Sequence, residues 1–281
     1  MRDTPGHGTH LSYYQFGRTP FFASRDDQRF SYCLYVPRDY DEAGDRTYPL
    51  VVLVHGTERG AWTYRDEFVE FCEANGCVAL APLFPGGIGT PGELDGYKFI
   101  AHDGIRYDHV LLAMIDEVAA TWRVDPARFL LHGFSGGGHF THRFLYLHPE
   151  RLAAASIGAP GVVTLLDATR DWWVGTADIA ERFGAPIDLA ALRAVPVQTV
   201  IGADDTETWE ITIPPESPRW MPGADAQGAN RQDRIAALGA SLERNGVAVR
   251  HDVVPGVAHD GYAILGPVRA FFAGVLKGGA R

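Results

Sequence analysis

The stretch Leu130 to His142, LLHGFSGGGHFTH, constrains the fold of this chain more than any other. An apolar run reaches Gly133-Phe134-Ser135-Gly136-Gly137 and gives way at once to a segment of helical character. A strand that passes directly into a helix around a G-x-S-x-G sequence has to bend sharply at the serine. Glycine is needed beside such a bend, because a Cβ there would strike neighbouring backbone. The bend leaves Ser135 at the carboxyl edge of a sheet, with the first N–H groups and the positive end of a helix aimed at it. The glycines serve curvature rather than flexibility.

The rest of the chain has the rhythm that such a turn requires. FSYCLYV (Phe30–Val36) alternates like an early antiparallel strand. YPLVVLVHG (Tyr48–Gly56) is a continuous apolar run, as in a strand buried on both faces. CVALAP, RFLLHGF, LAAASIGAP, VPVQTVIGA and VRHDVVPG follow as further strands. Helical periodicities lie between them. Tyr64, Phe68, Phe71 and Cys72 share one face before an Asn-Gly stop, and Val110, Leu111, Ile115, Val118 and Trp122 share another before Pro126. Ile235, Leu238 and Leu242 mark a third helix, ended by Gly246. Alternating strands and helices give an α/β fold with a mostly parallel sheet and helices on both faces. Two long segments, 161–196 and 206–230, interrupt the alternation and carry tryptophans. They read as excursions over one edge of the sheet within a single domain spanning 1–281.

Bulk properties exclude several functions. Of the 281 residues 46% are hydrophobic, enough for a substantial core, and no apolar run nears the ~20 residues of a membrane span. The net charge of −10 repels phosphate backbones and argues against nucleic acid as a partner. Lys98 and Lys277 are the only lysines, so arginine carries nearly all the positive charge. The first residues lack the basic-then-apolar order of a secretion signal, which points to the cytoplasm. Cys33, Cys72 and Cys77 contain no C-x-x-C pair and read as buried free thiols. No G-x-G-x-x-G opens a first βα unit and no phosphate loop occurs, so no cofactor is implied. The glycine run Gly86–Gly92 opens no helix and reads as a loop bordering the site.

Three further features join Ser135. Leu53–Gly60, LVHGTERG, ends a strand with His-Gly, a bend that directs a backbone N–H toward the serine. VIGADDTET places acids directly after a later strand, and VVPGVAHDGY places His259 in a loop after the last one. In this order Ser135 is a nucleophile, His259 its general base, and an aspartate orients the imidazole. Neighbouring residues in extended chain point to opposite sides. Only one of Asp204 and Asp205 is therefore expected to face the histidine, with Glu207 and Glu210 as weaker candidates deeper in the excursion. Gly136 supplies one oxyanion N–H. Thr57 is expected to supply the second, its other reading being a cap for the helix of Tyr64. His55 is expected to shape the bend.

With these residues in place the chain resembles the α/β-hydrolase family, from about the Phe30 strand to the final helix YAILGPVRAFFAGVL. More narrowly, YPLVVLVHG, GFSGGG and HRFLYLHPERLAAASIGAPG resemble bacterial esterases of the polyhydroxyalkanoate-depolymerase and feruloyl-esterase branch. The resemblance implies the α/β-hydrolase fold and a serine hydrolase that cleaves a carboxylic ester through an acyl-enzyme. Its partner would be a small-molecule ester or amide. The resemblance also implies Asp205 as the partner of His259 and Asp204 as a surface residue, because many hydrolases of this type end the strand with Gly-x-x-Asp, here Gly202-Ala203-Asp204-Asp205. An amidase or peptidase would use the same triad, and a non-hydrolytic lyase or binding protein of this fold would lack part of it.

The remaining candidates each have two readings. Trp172, Trp173, Trp209 and Trp220 either roof a substrate pocket or pack the excursions onto the body. Trp62 and Trp122, in helical segments, are expected in the core. His139 and His142, spaced i, i+3, lack the acids of a metal pair and are expected to support the site from the core. His132 is expected to be packed in its strand, while His102 and His251 have no partner visible in sequence.

Overall fold

The computed structural model describes residues 11–278. Eleven strands occur among them: β1 (Gly17–Arg18), β2 (Phe22–Ala23), β3 (Ser31–Val36), β4 (Leu50–Val54), β5 (Val78–Leu83), β6 (Ala101–His102), β7 (Ile105–Arg106), β8 (Phe129–Phe134), β9 (Leu152–Gly158), β10 (Val197–Gly202) and β11 (Val249–Val254). The helices are α1 (Ala61–Glu67), α2 (Val69–Asn75), α3 (Tyr107–Thr121), α4 (Gly136–Leu147), α5 (Ile179–Phe183), α6 (Leu189–Arg193), α7 (Arg231–Arg244) and α8 (Leu265–Leu276).

Nine strands form one sheet in the order β1-β3-β5-β4-β8-β9-β10-β11, with β2 also on β3. From β5 to β11 every pairing is parallel, while β3 runs antiparallel to β5. The continuous apolar strands are explained by burial on both faces. Along β4, Val51 and Leu53 pack with Tyr64, Phe68 and Phe71 of the α1–α2 region and with Val268 and Phe272 of α8. Val52 and Val54 point to the opposite side, toward Leu111 and Ile115 of α3 and Phe140 and Phe144 of α4. Each such side chain, fully withdrawn from water, contributes roughly 1.5–3 kcal/mol. One side chain per position thus feeds two cores in alternation.

The structure departs from the periodicity at two points. The stripe from Tyr64 to Cys72 is not one helix but two that meet at Phe68, whose N–H bonds back to the Arg65 carbonyl in a tight turn. Trp62 lies on the solvent side of α1 and is 53% exposed, so it is not a core residue, whereas Trp122 is buried. Of the two excursions, 161–196 contains the short helices α5 and α6, and 206–230 runs as successive turns.

Parallel strands place their carboxyl ends on one edge. The ends of β4, β8 and β10 and the loop after β11 therefore deliver Thr57, Ser135, Asp205 and His259 to one side of the sheet.

Candidate active site

Ser135 occupies the single residue between β8 and α4, at φ 54° and ψ −115°. A side chain rarely adopts this conformation, and it persists only where the surroundings enforce it. Its N–H donates to the Gly158 carbonyl at 2.8 Å, and its carbonyl accepts from the His139 N–H at 3.0 Å. The flanking glycines are sterically required. A Cβ on Gly133 would lie 2.3 Å from the Gly137 carbonyl oxygen, and one on Gly137 would lie 2.2 Å from that of Val54.

Asp205 and His259 meet across 54 residues of sequence. The His259 Nδ1 is 2.6 Å from the Asp205 Oδ2, and the imidazole lies over the Phe134 ring with centroids 4.6 Å apart. Asp205 is 1% exposed, while Asp204 is exposed. The turn is tied to the histidine loop, because Ala203 N–H donates to the Val254 carbonyl and Asp204 N–H to that of Val257. An acceptor-only carboxylate at Nδ1 keeps a proton on that nitrogen and leaves Nε2 free to accept one.

Two cavities open at Ser135. One, of about 340 Å³, is lined by Thr57, Ser135 and His259 together with Tyr64, Tyr262, Glu58, Glu210 and Asp260. The other, of about 210 Å³, is lined by Thr57, Ser135, Lys98, Phe99, His139, Ile211 and Ile213, with Asp95, Arg219 and Arg231. Ser135, Thr57 and Glu210 belong to both.

Gly136 is the first residue of α4, where a backbone N–H has no partner within the helix. The bend carrying Thr57 lies against the serine, since a Cβ on Gly56 would be 3.7 Å from the Ser135 Cβ. Gly60, not Thr57, caps α1. His55 holds the bend: its Nε2 accepts the Phe84 N–H at 3.0 Å, so Nδ1 donates to the Gly56 carbonyl at 2.7 Å. Burial depresses this imidazole to a pKa of about 3, and it stays neutral. Arg59 completes the brace, bonding the carbonyls of Thr57 at 2.5 Å and Leu94 at 2.7 Å.

The helix histidines are clamps on the first excursion. His139 Nε2 accepts from the N–H groups of Gly161 and Val162, and His142 Nε2 from that of Thr164. Both are held well below the ordinary histidine range, chiefly by burial and then by the nearby Arg143 charge. His132 is buried against Ser156. His251, which had no visible partner, bonds Thr199 Oγ1 at 2.8 Å and lies 3.1 Å from Glu243; His102 lies 3.3 Å from Asp103.

The tryptophan roof is corrected. Trp172 and Trp173 are 8% and 6% exposed and belong to the core; Trp173 Nε1 donates to the Arg219 carbonyl. Trp209 and Trp220 are exposed, and none of the four lines either cavity. The glycine run 86–92 also lines neither cavity, although Asp95 just beyond it does.

What sequence reasoning missed is the charged wall. Lys98 Nζ bonds Asp95 Oδ1 at 2.6 Å, and Arg219 bridges Asp95 and Glu93. Burial raises the Asp95 carboxyl, but Lys98 and Arg219 outweigh it and hold the group below its usual range. The one available signal was Lys98 itself, conspicuous in a chain so poor in lysine.

Asp108, His109 and His148 offer donor atoms within 4.8 Å of one another. Both Asp108 oxygens are already taken, by Arg106 at 2.9 and 2.6 Å and by His148 at 2.8 Å, so the group is an ion-pair cluster. Among the described residues no helix is long and apolar enough to cross a membrane.

No family model matches the sequence. Solved structures do. Poly(aspartic acid) hydrolase-1 from Sphingomonas sp. KT-1 is similar at a TM-score of 0.68 and 23% identity, over 86% of this chain and 92% of that one. LpqC, a poly(3-hydroxybutyrate) depolymerase from Bordetella parapertussis, is similar at 0.66 and 24%, over 88% and 83%. An S-formylglutathione hydrolase from Agrobacterium tumefaciens is similar at 0.62 and 17%, over 96% and 98%. With the parallel sheet, the turn at Ser135 and these likenesses together, the chain has the α/β-hydrolase fold.

Proposed function

We propose that the chain is a serine hydrolase that cleaves a small-molecule carboxylic ester through an acyl-enzyme. The observation that carries this is the buried Asp205 carboxylate 2.6 Å from His259 Nδ1, with Ser135 opening into the cavity that His259 lines. The hydrolases and the depolymerase of the same fold are consistent with it.

His259 Nε2 takes the Ser135 hydroxyl proton while Oγ attacks the ester carbonyl carbon. The oxyanion is met by the N–H groups of Gly136 and Thr57. The tetrahedral species collapses, the C–O bond to the alcohol breaks, and the imidazolium returns its proton to the leaving oxygen. Water repeats the sequence and frees Ser135. Because His259 protonates the leaving group, the alcohol belongs in the cavity with Tyr64 and Tyr262. The acyl chain belongs in the one with Lys98, Phe99, Ile211 and Ile213. Trp172 and Trp173, buried in the core, support the fold behind the wall. The three cysteines are free thiols, which fits a reducing compartment and a cytoplasmic enzyme working as one domain.

A fluorophosphonate probe tests the reading, because covalent labelling requires an activated serine. The wild-type protein labels and hydrolyses nitrophenyl esters; Ser135→Ala does neither, at an unchanged circular-dichroism spectrum. Turnover by Ser135→Ala above about a tenth of the wild-type rate overturns it.

A further inference from the structure

Arg231 opens α7 directly after the second excursion, and its side chain is 2% exposed. One terminal nitrogen lies 3.3 Å from Asp205 Oδ1, and the other lies 2.5 Å from Glu210 Oε2. The second Asp205 oxygen is the one that meets His259. Glu210, Arg231, Asp205 and His259 thus form one chain of contacts, from an excursion residue that lines both cavities to the imidazole.

A carboxylate held at one oxygen can swivel about its Cβ–Cγ bond. Held at both, in a buried site, it has one plane. Arginine fits this position because its fork spans two carboxylates at once, which a lysine ammonium on a single stem does not.

We propose that Arg231 is a positioning residue of the reaction: anchored by Glu210, it fixes the plane of the Asp205 carboxylate and through it the orientation of the His259 imidazole. This rests on the reading of Ser135, His259 and Asp205 as the working triad. The other charged and titratable groups facing the two cavities are Glu58, Asp260, Tyr64 and Tyr262 on the histidine side, and Lys98, Asp95, Arg219 and His139 on the other. All stay unchanged in the variants below.

The test is kcat and KM on a neutral nitrophenyl ester, with the urea midpoint, for wild type, Arg231→Gln, Arg231→Lys and Ser135→Ala. Arg231→Gln should lower kcat about tenfold with little change in KM. Arg231→Lys should leave kcat depressed at unchanged KM, because it carries the charge without the fork. A folded Arg231→Gln protein with wild-type kcat overturns the inference. Should Arg231→Gln fail to fold, Arg231→Lys decides: an undiminished kcat refutes the orienting role, and a lowered kcat at unchanged KM supports it. An active Ser135→Ala refutes the triad and this inference together, whereas an inert Ser135→Ala with wild-type kcat in both Arg231 variants refutes this inference alone.

Discussion

Replacing Asp205 by asparagine keeps the shape of a buried side chain and changes only which of its atoms donate. In the wild type both oxygens accept, one from His259 at 2.6 Å and one from Arg231 at 3.3 Å. A carboxamide has one acceptor and one donor, and Arg231 can only donate. The amide oxygen therefore turns to the guanidinium, and the amide NH₂ faces His259 Nδ1. That nitrogen must then accept, which puts the imidazole proton on Nε2, where the Ser135 proton has to go. The base is blocked by tautomer rather than by distance. Inverting the tautomer in a Ser-His-Asp site costs on the order of 10⁴ in kcat, or about 5.4 kcal/mol of barrier. Asp205→Asn should show that loss on nitrophenyl esters with KM changed less than about threefold. Asp204→Asn, at an exposed position, should stay near wild type. An Asp205→Asn enzyme retaining more than about a tenth of wild-type kcat would refute the reasoning. Normal activity in both variants would move the orienting acid elsewhere.

Two further outcomes can be checked directly. Stability should fall on acidification, because His55, His132, His139 and His142 are all held below the ordinary histidine value, primarily by burial, with His132 at about 4. Between these values and the unfolded value near 6.5, the unfolded chain binds more protons, so stability is complete above about pH 6.5 and is lost as the pH drops. With four such groups the slope approaches about 5 kcal/mol per pH unit, and a urea midpoint unchanged between pH 7 and pH 5 would contradict it. The tryptophans should separate by burial: Trp173→Ala should cost about 3–5 kcal/mol of stability, while Trp209→Ala should stay within about 0.5 kcal/mol, as read by denaturant melts.

The reach of the sequence follows from how local each cause is. The turn at Ser135 was legible because its steric demand falls on immediate neighbours, Gly133 and Gly137. Asp205 over Asp204 was legible only through the Gly-x-x-Asp pattern of similar hydrolases, because the chain turns at Ala203-Asp204 and strand alternation no longer applies there. The two-faced core was legible because strands buried on both sides read as unbroken apolar runs. Trp62 was not, since a seven-residue helix leaves room for an indole on its outer side. Trp173 was not, because what decides its role is a carbonyl 46 residues away. His251 finds Thr199 only through the register of β10 against β11. Arg231 is invisible for the same reason: its partners lie 26 and 21 residues upstream, in segments without periodicity.

The scarcity of lysine has a structural counterpart in these long-range contacts. Much of the wall of both cavities is loop, and loops leave backbone carbonyls without partners. Buried arginines supply the donors. Arg143 bonds the Lys98 carbonyl at 2.5 Å and Thr164 Oγ1 at 2.9 Å, and it stacks 4.5 Å above the Phe99 ring. It does so with no acid within ion-pair distance among the described residues, and burial lowers it to a pKa of about 9. Arg234 bonds the carbonyl of Gly161 in the first excursion at 2.5 Å and that of Ile211 in the second at 2.8 Å. A side chain that donates to two separate loops fixes their spacing, and a planar fork of five N–H groups does this where an ammonium does not. The segments around the cavity of Lys98, Phe99, Gly161 and Ile211 are therefore tied together by Arg143, Arg234 and the clamping His139. Selection among acyl groups should follow the shape of that fixed wall more than the charge on its surface, where Lys98 and Arg219 are already matched by Asp95 and Glu93.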